Sequence, residues 1–214
     1  MSTNLLHVDA SILGSNSVSR TLSAAVVEKL ERADPGLHVI RRDLAATPIP
    51  HLSGPALAAS QSGDAPSDPA LRDDLALGRA VLDEFLAADV VVLGLGFYNF
   101  GIPSQLKAWV DRLAIAGKTF RYTDKGPVGL AGGKRVIVVI ARGGHYGAGT
   151  PSASFEHAES YLRSVFGFFG ITELEVVAAE GLAAGPESRA AGIARAEAVI
   201  AALGADHERV LEPA

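Results

Sequence analysis

Cysteine is missing from the 214 residues of this chain. Without it there can be no disulfide, no thiolate metal ligand, no thiol nucleophile and no cysteine-bound iron–sulfur cluster. Any redox chemistry must therefore come from a bound organic cofactor.

An excess of positive charge and a long hydrophobic run are also missing. The formal net charge is -5, so the chain lacks the basic field with which proteins neutralise nucleic-acid phosphates. The longest apolar runs, at 90–95 and 136–141, are far shorter than the roughly 20 residues of a membrane-spanning helix. The N-terminus has neither the basic flank nor the cleavage site of a signal peptide. We therefore expect a cytoplasmic protein with no nucleic-acid and no membrane partner.

Hydrophobic residues make up 48% of the chain, and we expect a single α/β domain over 1–214. Five short segments rich in aliphatic or β-branched residues are candidate strands: 5–8, 38–41, 90–95, 135–140 and 174–178. Stretches with helical spacing alternate with them: 19–32, 71–88, 104–116, 154–169 and 188–203. This alternation predicts parallel βαβ units. Periodicity leaves the strand order open between 2-1-3-4-5 and a Rossmann-like order.

Two segments carry further expectations. In 104–116, Leu106, Val110 and Leu113 form an apolar stripe at helical spacing, and Arg112 points away from it. The segment 45–70 is rich in Pro, Ser, Ala and Gly and predicts a long surface loop, which either only connects two elements or lines a site.

The loop after the first strand is rich in hydroxyl groups. Residues 11–19 contain four serines and one asparagine and lead directly into a helix. Free N–H groups at a helix N-terminus, together with serine hydroxyls, suit a phosphate. The spacing is not Gly-x-Gly-x-x-Gly, so a mononucleotide phosphate is preferred over a dinucleotide. The alternative is that Ser17 or Ser19 only caps the helix.

The loop after the third strand is aromatic. Three of the four residues at 97–100 are aromatic, which suits contact with a planar ring. The fourth, Asn99, offers an amide to heteroatoms on the rim of such a ring. The alternative is that Phe97 and Phe100 are simply buried.

The loop after the fourth strand contains Gly143 and Gly144, whose N–H groups can closely approach a carbonyl or an anionic ring nitrogen. The alternative is an ordinary glycine loop. His145 is either a polar filler or a functional residue. His145 and His157 lie twelve positions apart with no carboxylate pattern nearby, so no metal is expected.

The residues of these loops resemble those of the bacterial FMN-dependent NADH:quinone oxidoreductases, also called azoreductases. The resemblance runs from LLHVDASILGSNSVSR through FYNFGIPSQLKAWVDRLAIAGKTFRYTDKGPVGLAGGK to the RGG, FGFFGI and AEG segments. It implies a flavodoxin-like three-layer α/β sandwich whose five-stranded parallel sheet has the order 2-1-3-4-5. It also implies noncovalent FMN, NADH or NADPH as co-substrate, a quinone or aromatic azo acceptor, and a homodimer with active sites at its interface.

The resemblance further implies which residues contact FMN. Phosphate and ribityl contacts would come from Ser11, Ser17, Val18 and Ser19; ring contacts from Phe97, Tyr98, Asn99 and Phe100; and pyrimidine-edge contacts from Ala141, Arg142, Gly143 and Gly144. Similar proteins often carry a hydroxyl residue where this sequence has Ala141. Some relatives place an aromatic residue over the substrate where this sequence has Val165. These departures put the substrate range in question.

The cofactor would then carry the redox chemistry, with NADH and the acceptor using one position in turn, which predicts ping-pong kinetics. We expect Asn99 to hold the N5 edge. The N–H groups of Gly143 and Gly144 would stabilise charge near N1 and the C2 carbonyl. The alternative function is a flavodoxin-type electron carrier without small-molecule turnover of its own.

The expected substrate contacts are Phe100, Tyr122 and His145. Tyr122 belongs to an excursion at 118–134 that also carries Phe120. Together with the phenylalanines at 166, 168 and 169, this excursion would complete the neighbouring subunit's pocket, unless those phenylalanines are buried at a helix end.

Overall fold

A computed structural model describes residues 3–62, 66–172 and 174–204. These described residues form seven strands: β1 Asn4–Asp9, β2 His38–Asp43, β3 Val90–Gly96, β4 Phe120–Thr123, β5 Gly126–Gly129, β6 Arg135–Ala141 and β7 Leu174–Ala179. Five of them make a parallel sheet in the order β2-β1-β3-β6-β7. Numbered among these five strands alone, the order is 2-1-3-4-5, which decides between the two possibilities that periodicity left open.

Strands β4 and β5 form a separate antiparallel hairpin in the predicted excursion at 118–134. Thr123 and Gly126 are the last pair of its ladder, and the turn lies between them. The hairpin therefore stands outside the parallel sheet.

In the described parts of the chain, six α-helices accompany the strands: α1 Val18–Ala33, α2 Gly54–Ser62, α3 Pro69–Ala87, α4 Ser104–Leu113, α5 Ala158–Phe168 and α6 Pro186–Ala202. Helix α2 corrects the expectation of an uninterrupted loop over 45–70; residues 63–65 of that segment lie outside the described residues. Ser53 begins α2 by accepting a hydrogen bond at its hydroxyl from the N–H of Ala56, at 3.2 Å. None of the described helices is both long and apolar enough to span a bilayer.

Helices cover both faces of the sheet. Every residue of β3 is buried, as expected for a central parallel strand. Because side chains alternate along a strand, Val91 and Leu93 join one core cluster and Val90 and Val92 the other. The first cluster includes large side chains of α3, α4 and α5, and the second includes α1 and α6.

The expectation for Arg112 in α4 is wrong. The predicted apolar stripe is buried, but Arg112 is buried with it, at 5% exposure. Its guanidinium makes two hydrogen bonds to the carboxylate of Asp74, at 2.7 and 3.1 Å, and one to the carbonyl of Pro50, at 2.8 Å. A buried arginine is tolerated when it is paired, and this pair ties α4 to α3.

Helix α6 packs against the segment after β7 through Gly192. A Cβ atom at this position would lie 2.1 Å from the carbonyl oxygen of Glu180, far inside van der Waals contact. Alanine in place of an interior helical glycine ordinarily adds about 0.5–1 kcal/mol of stability. We expect Gly192→Ala to do the opposite and to lower the free energy of unfolding by roughly 1–3 kcal/mol, because α6 must shift outward.

Urea unfolding measures this effect, with Gly78→Ala in α3 as the control. A Cβ atom at Gly78 would meet only the Arg112 side chain, at 3.6 Å, so that variant should be as stable as the wild type or slightly more stable. Equal stability of the Gly192→Ala protein and the wild type would contradict the proposed close packing.

Candidate functional site

The loops singled out in the sequence follow strands that are neighbours in the sheet. Strand β1 pairs with β3, and β3 pairs with β6, all in parallel. The carboxyl ends of these strands therefore lie at one edge, where ligands bind in open α/β sheets. Contacts join the loops: the Ser11 and Tyr98 hydroxyls are 3.1 Å apart, and the N–H of Phe97 donates to the carbonyl of Ala141 at 2.9 Å.

The loop between β1 and α1 presents buried hydroxyl groups next to a helix N-terminus. Ser11, Ser17 and Ser19 are all buried. The Ser17 hydroxyl caps α1 by accepting from the N–H of Arg20 at 3.3 Å, and it lies 3.1 Å from the Ser19 hydroxyl. Ser17 therefore caps the helix, as the alternative held, but the cap satisfies only the N–H of Arg20. The N–H groups of Val18 and Ser19, in the first turn, have no carbonyl partner within the helix and suit a phosphate.

Arg20 holds this loop against β2. Its guanidinium donates to the carbonyl of Ser11 from Nε at 3.1 Å and from Nη2 at 2.9 Å. It also makes two hydrogen bonds of 2.7 Å to the carboxylate of Asp43. The bonds from Arg20, with help from the N–H groups of Ala46 and Ala45 and against the cost of burial, lower the pKa of Asp43 to about 2. The pair is therefore ionised at neutral pH.

The loop between β3 and α4 is a tight turn in an unusual conformation. Tyr98 and Gly101 exchange both backbone hydrogen bonds, at 3.1 and 3.0 Å. The two residues between them, Asn99 and Phe100, both have positive φ, of 48° and 72°. Asparagine tolerates this region, but a phenylalanine there is strained. Strain of this kind is concentrated at functional sites, and here it presents both side chains at the exposed edge.

The ring of Tyr98 folds back over the end of β3. A Cβ atom at Gly96 would lie 2.6 Å from this ring, so a side chain at Gly96 would displace it. Because Gly96 has no side chain, the ring can lie at this position, and the Tyr98 hydroxyl reaches Ser11. This contact joins the aromatic loop to the hydroxyl-rich loop.

Four aromatic side chains form a cluster beside this turn: Phe97, Phe100, Tyr146 and Phe155. The ring centroids of Phe97 and Tyr146 are 4.7 Å apart, and those of Phe100 and Phe155 are stacked at 5.1 Å. Phe100 remains 45% exposed and Phe155 50% exposed. Exposed, preassembled aromatic surface of this kind suits a planar ring. The sequence pattern identified two members of the cluster and missed Tyr146 and Phe155.

The loop after β6 has its carbonyl groups occupied and its glycine N–H groups free. The carbonyls of Arg142, Gly143 and Gly144 accept hydrogen bonds of 2.9–3.1 Å from the segment after β7. Within the described parts of the chain, the N–H groups of Gly143 and Gly144 make no hydrogen bond. Two adjacent free donors are what the predicted stabilisation of negative charge requires.

The Arg142 side chain is buried, at 2% exposure, among the carboxylates of Glu156, Glu159 and Glu180. The distances are 3.0 Å to Glu156, 3.2 Å to Glu159 and 3.0 Å to Glu180. Its guanidinium carbon also lies 5.8 Å from the ring centre of Phe97. The Arg142 side chain is therefore committed to the carboxylates. Its backbone is bonded as well, from its N–H to the carbonyl of Ala179 at 2.8 Å and from the N–H of Leu182 to its carbonyl at 3.1 Å.

Two predicted substrate residues stand outside the cluster. Tyr122 is 74% exposed on the β4–β5 hairpin, and its ring contact is with Phe120, at 5.4 Å. His145 is exposed and lies against Gly181. Phe166 and Phe169 are fully buried in the core, as the alternative expectation held. The ring centroids of Phe168 and Phe120 are 4.5 Å apart.

A cavity of about 570 Å³ lies elsewhere, between α2, α3 and α4. Its lining is mostly apolar and includes none of the predicted cofactor residues. Among the described residues, no group of three or more His, Asp and Glu side chains could hold a metal ion.

Comparison with known proteins adds to this geometry. A family model described as a flavodoxin-like fold matches residues 3–203. The FMN-dependent NADH:quinone oxidoreductase of Xanthomonas campestris pv. campestris is 60% identical over 200 residues, which cover 93% of this chain and 98% of that protein.

Two solved structures are also similar to this chain. The azoreductase of Bacillus anthracis str. Sterne is 33% identical with a TM-score of 0.83, covering 94% of this chain and 100% of that one. An FMN-dependent NADH-azoreductase of Bacillus anthracis str. Ames Ancestor, solved in complex with FMN, is 26% identical with a TM-score of 0.83, covering 94% of this chain and 98% of that one.

Proposed function

Because this chain belongs to the family of FMN-dependent NADH:quinone oxidoreductases with a flavodoxin-like fold, we propose that it binds FMN noncovalently and transfers two electrons from NADH to quinones and aromatic azo compounds. The observation that carries the proposal is the meeting of a hydroxyl-rich helix N-terminus, an exposed aromatic turn and a pair of free glycine N–H groups at one edge of the sheet. Each matches a different part of the cofactor.

The phosphate end would be held between β1 and α1. Hydroxyls of Ser11, Ser17 and Ser19 and the N–H groups of Val18 and Ser19 supply the donors, and the dipole of α1 favours the anion. Neutral hydroxyls and amides leave the phosphate charge uncompensated by any direct cation. The neighbouring charges therefore matter for affinity.

The ring end would lie along the turn at 97–100. Phe97, Tyr98 and Phe100 supply aromatic surface and Asn99 an amide. The expected donors at the pyrimidine edge are the N–H groups of Gly143 and Gly144. When bound, FMN supplies the ability to take two electrons from a nicotinamide and to give them to an acceptor.

Residues of the chain supply binding, orientation and charge stabilisation. We propose that Asn99, Gly143 and Gly144 act at the reacting edge. The bonded carbonyls of Gly143 and Gly144 hold their loop, so its N–H donors are preorganised, and the tight turn fixes the backbone of Asn99. Phe100, Tyr122 and His145 remain the proposed substrate contacts. The Ala141 side chain offers no hydrogen bond, but its carbonyl accepts from the N–H of Phe97, so this position joins the glycine loop to the aromatic turn.

We also propose a cytoplasmic homodimer with sites completed at the interface. Tyr122 at 74% exposure, and Val128 and Leu130 at 42% each, place apolar surface on and beside the β4–β5 hairpin, where a second copy would cover it. NADH, which the names of the relatives give as reductant, is an intracellular dinucleotide. An active monomer in analytical ultracentrifugation would contradict the dimer.

Steady-state kinetics test the proposed reaction. If NADH and the acceptor use one position in turn, double-reciprocal plots against NADH at several benzoquinone concentrations should be parallel. Intersecting lines would show that both substrates bind together and would contradict this scheme. The relatives are named as oxidoreductases, which supports an enzyme over the alternative of a flavodoxin-type carrier. Such a carrier would give no turnover with NADH and benzoquinone.

A further inference from the structure

Among the residues that the structure describes, Arg20 makes no hydrogen bond or ion pair with the aromatic cluster or the glycine loop, yet it bonds to Ser11 and Ser17 of the hydroxyl-rich loop. We propose that Arg20 is a positioning residue that sets the affinity of the site for the phosphate end of its ligand. It would act by holding Ser11 through its guanidinium and by neutralising the carboxylates of Asp9 and Asp43. The inference rests on the proposed function, since it concerns the same site.

The first contribution is geometric. Through its backbone N–H, Arg20 donates to the Ser17 hydroxyl at 3.3 Å, and through its guanidinium it donates to the Ser11 carbonyl at 3.1 and 2.9 Å. The guanidinium therefore fixes Ser11, the first serine that would contact the phosphate, whereas any residue at position 20 would supply the backbone bond to Ser17. The other end of the guanidinium is anchored to Asp43, at the carboxyl end of β2.

The second contribution is electrostatic. Two carboxylates lie beside the loop: Asp43, bonded to Arg20 at 2.7 Å, and Asp9, whose oxygen is 3.9 Å from Nη1 of Arg20. Asp9 has further polar neighbours in Ser23, at 3.0 Å, and His7, at 3.4 Å. The Arg20 cation offsets two anions that would otherwise repel a phosphate across a partly buried, poorly screened space.

Arg20 is not expected to bind the phosphate itself. Its Nε atom donates to Ser11, its Nη1 atom to Asp43, and its Nη2 atom to both. Its donors are thus largely committed within the protein. This commitment distinguishes a positioning residue from a direct ligand.

The test compares FMN with riboflavin, which lacks the phosphate. We expect Arg20→Met to raise the Kd of the apoprotein for FMN at least tenfold, measured by quenching of flavin fluorescence, and to change the Kd for riboflavin less than threefold. Adding Asp43→Asn to Arg20→Met removes one of the uncompensated carboxylates. The double variant should therefore bind FMN at least threefold more tightly than Arg20→Met alone.

Arg42→Met is the matched control. Arg42 is the neighbour of Asp43 on β2 and forms a similarly buried two-bond pair with Glu84, at 2.6 and 2.7 Å, but it does not touch the loop. The Arg42→Met variant loses the same charge as Arg20→Met, and its Kd for FMN should stay within threefold of the wild-type value. If Arg20→Met does not fold by circular dichroism, Arg20→Lys keeps the charge but not the planar fork and tests the geometric contribution alone; we expect it to weaken FMN more than riboflavin.

The inference is overturned if the Arg20 variant weakens FMN and riboflavin equally, if it weakens neither, or if the Asp43→Asn addition recovers nothing. Wild-type apoprotein that binds no FMN would instead overturn the proposed function. The two failures are therefore distinguishable.

Discussion

The Ser17→Asp variant should lose FMN affinity at least about a hundredfold while its apoprotein stays as stable as the wild type. Aspartate is as good a helix N-cap as serine, so the hydrogen bond from the N–H of Arg20 survives. The new carboxylate, however, lies where the phosphate is expected. Two unit charges about 4 Å apart near a protein surface repel by roughly 4 kcal/mol. Even half of that energy weakens binding about thirtyfold, and a phosphate carries more than one charge.

Ser17→Asn is the control for this variant. Asparagine has the size of aspartate and also caps helices, but it is neutral. We expect it to bind FMN within about fivefold of the wild type, as measured by fluorescence titration. Should Ser17→Asp bind FMN as tightly as Ser17→Asn, the serine would be a cap and nothing more, which is the alternative that the sequence left open.

Arg142→Met should cause the largest loss of stability among single changes near the site. Removing this buried cation leaves the carboxylates of Glu156, Glu159 and Glu180 close together without the cation that they share. Breaking a buried ion pair in this way costs about 3–5 kcal/mol. For a protein of this size that corresponds to a drop in Tm of about 6–20 °C, measured by thermal unfolding of the apoprotein.

The same variant should also disturb the glycine loop. One oxygen of Glu180 accepts from Arg142 and from the N–H of Tyr146, at 2.9 Å, so the carboxylate links the buried cation to the aromatic cluster. Arg163→Met removes an exposed partner of Glu159, and such surface pairs contribute less than about 1 kcal/mol. A Tm drop as small for Arg142→Met as for Arg163→Met would contradict the structural role of the buried cluster.

The sequence was informative wherever structure depends on local pattern. Aliphatic and β-branched residues located all five parallel strands. The central strands β3 and β6 also have the continuous apolar run of a parallel strand that helices cover on both faces. The composition of the loops likewise pointed to the edge of the sheet where the site lies. Periodicity did not give the strand order, which came from the family resemblance and agrees with the structure.

The sequence was uninformative wherever structure depends on pairing between distant residues. Arg20 and Asp43 are 23 positions apart, and Arg142 and Glu180 are 38 apart. No local pattern distinguishes these arginines from solvated ones, which is also why Arg112 was expected to face away from the core. The short helix α2 was missed because its segment, rich in Ser, Ala, Gly and Pro, has no apolar face for a periodicity argument to detect.

The central claim is that loops at one edge of the sheet bind FMN, and that the bound flavin passes two electrons from NADH to a quinone. The most direct measurement follows the visible absorbance of the FMN-loaded protein under anaerobic conditions. Adding one equivalent of NADH should bleach the flavin rapidly, and adding one equivalent of benzoquinone should restore the colour. Protein that takes up no FMN, or whose bound flavin keeps its colour with NADH, would contradict the account.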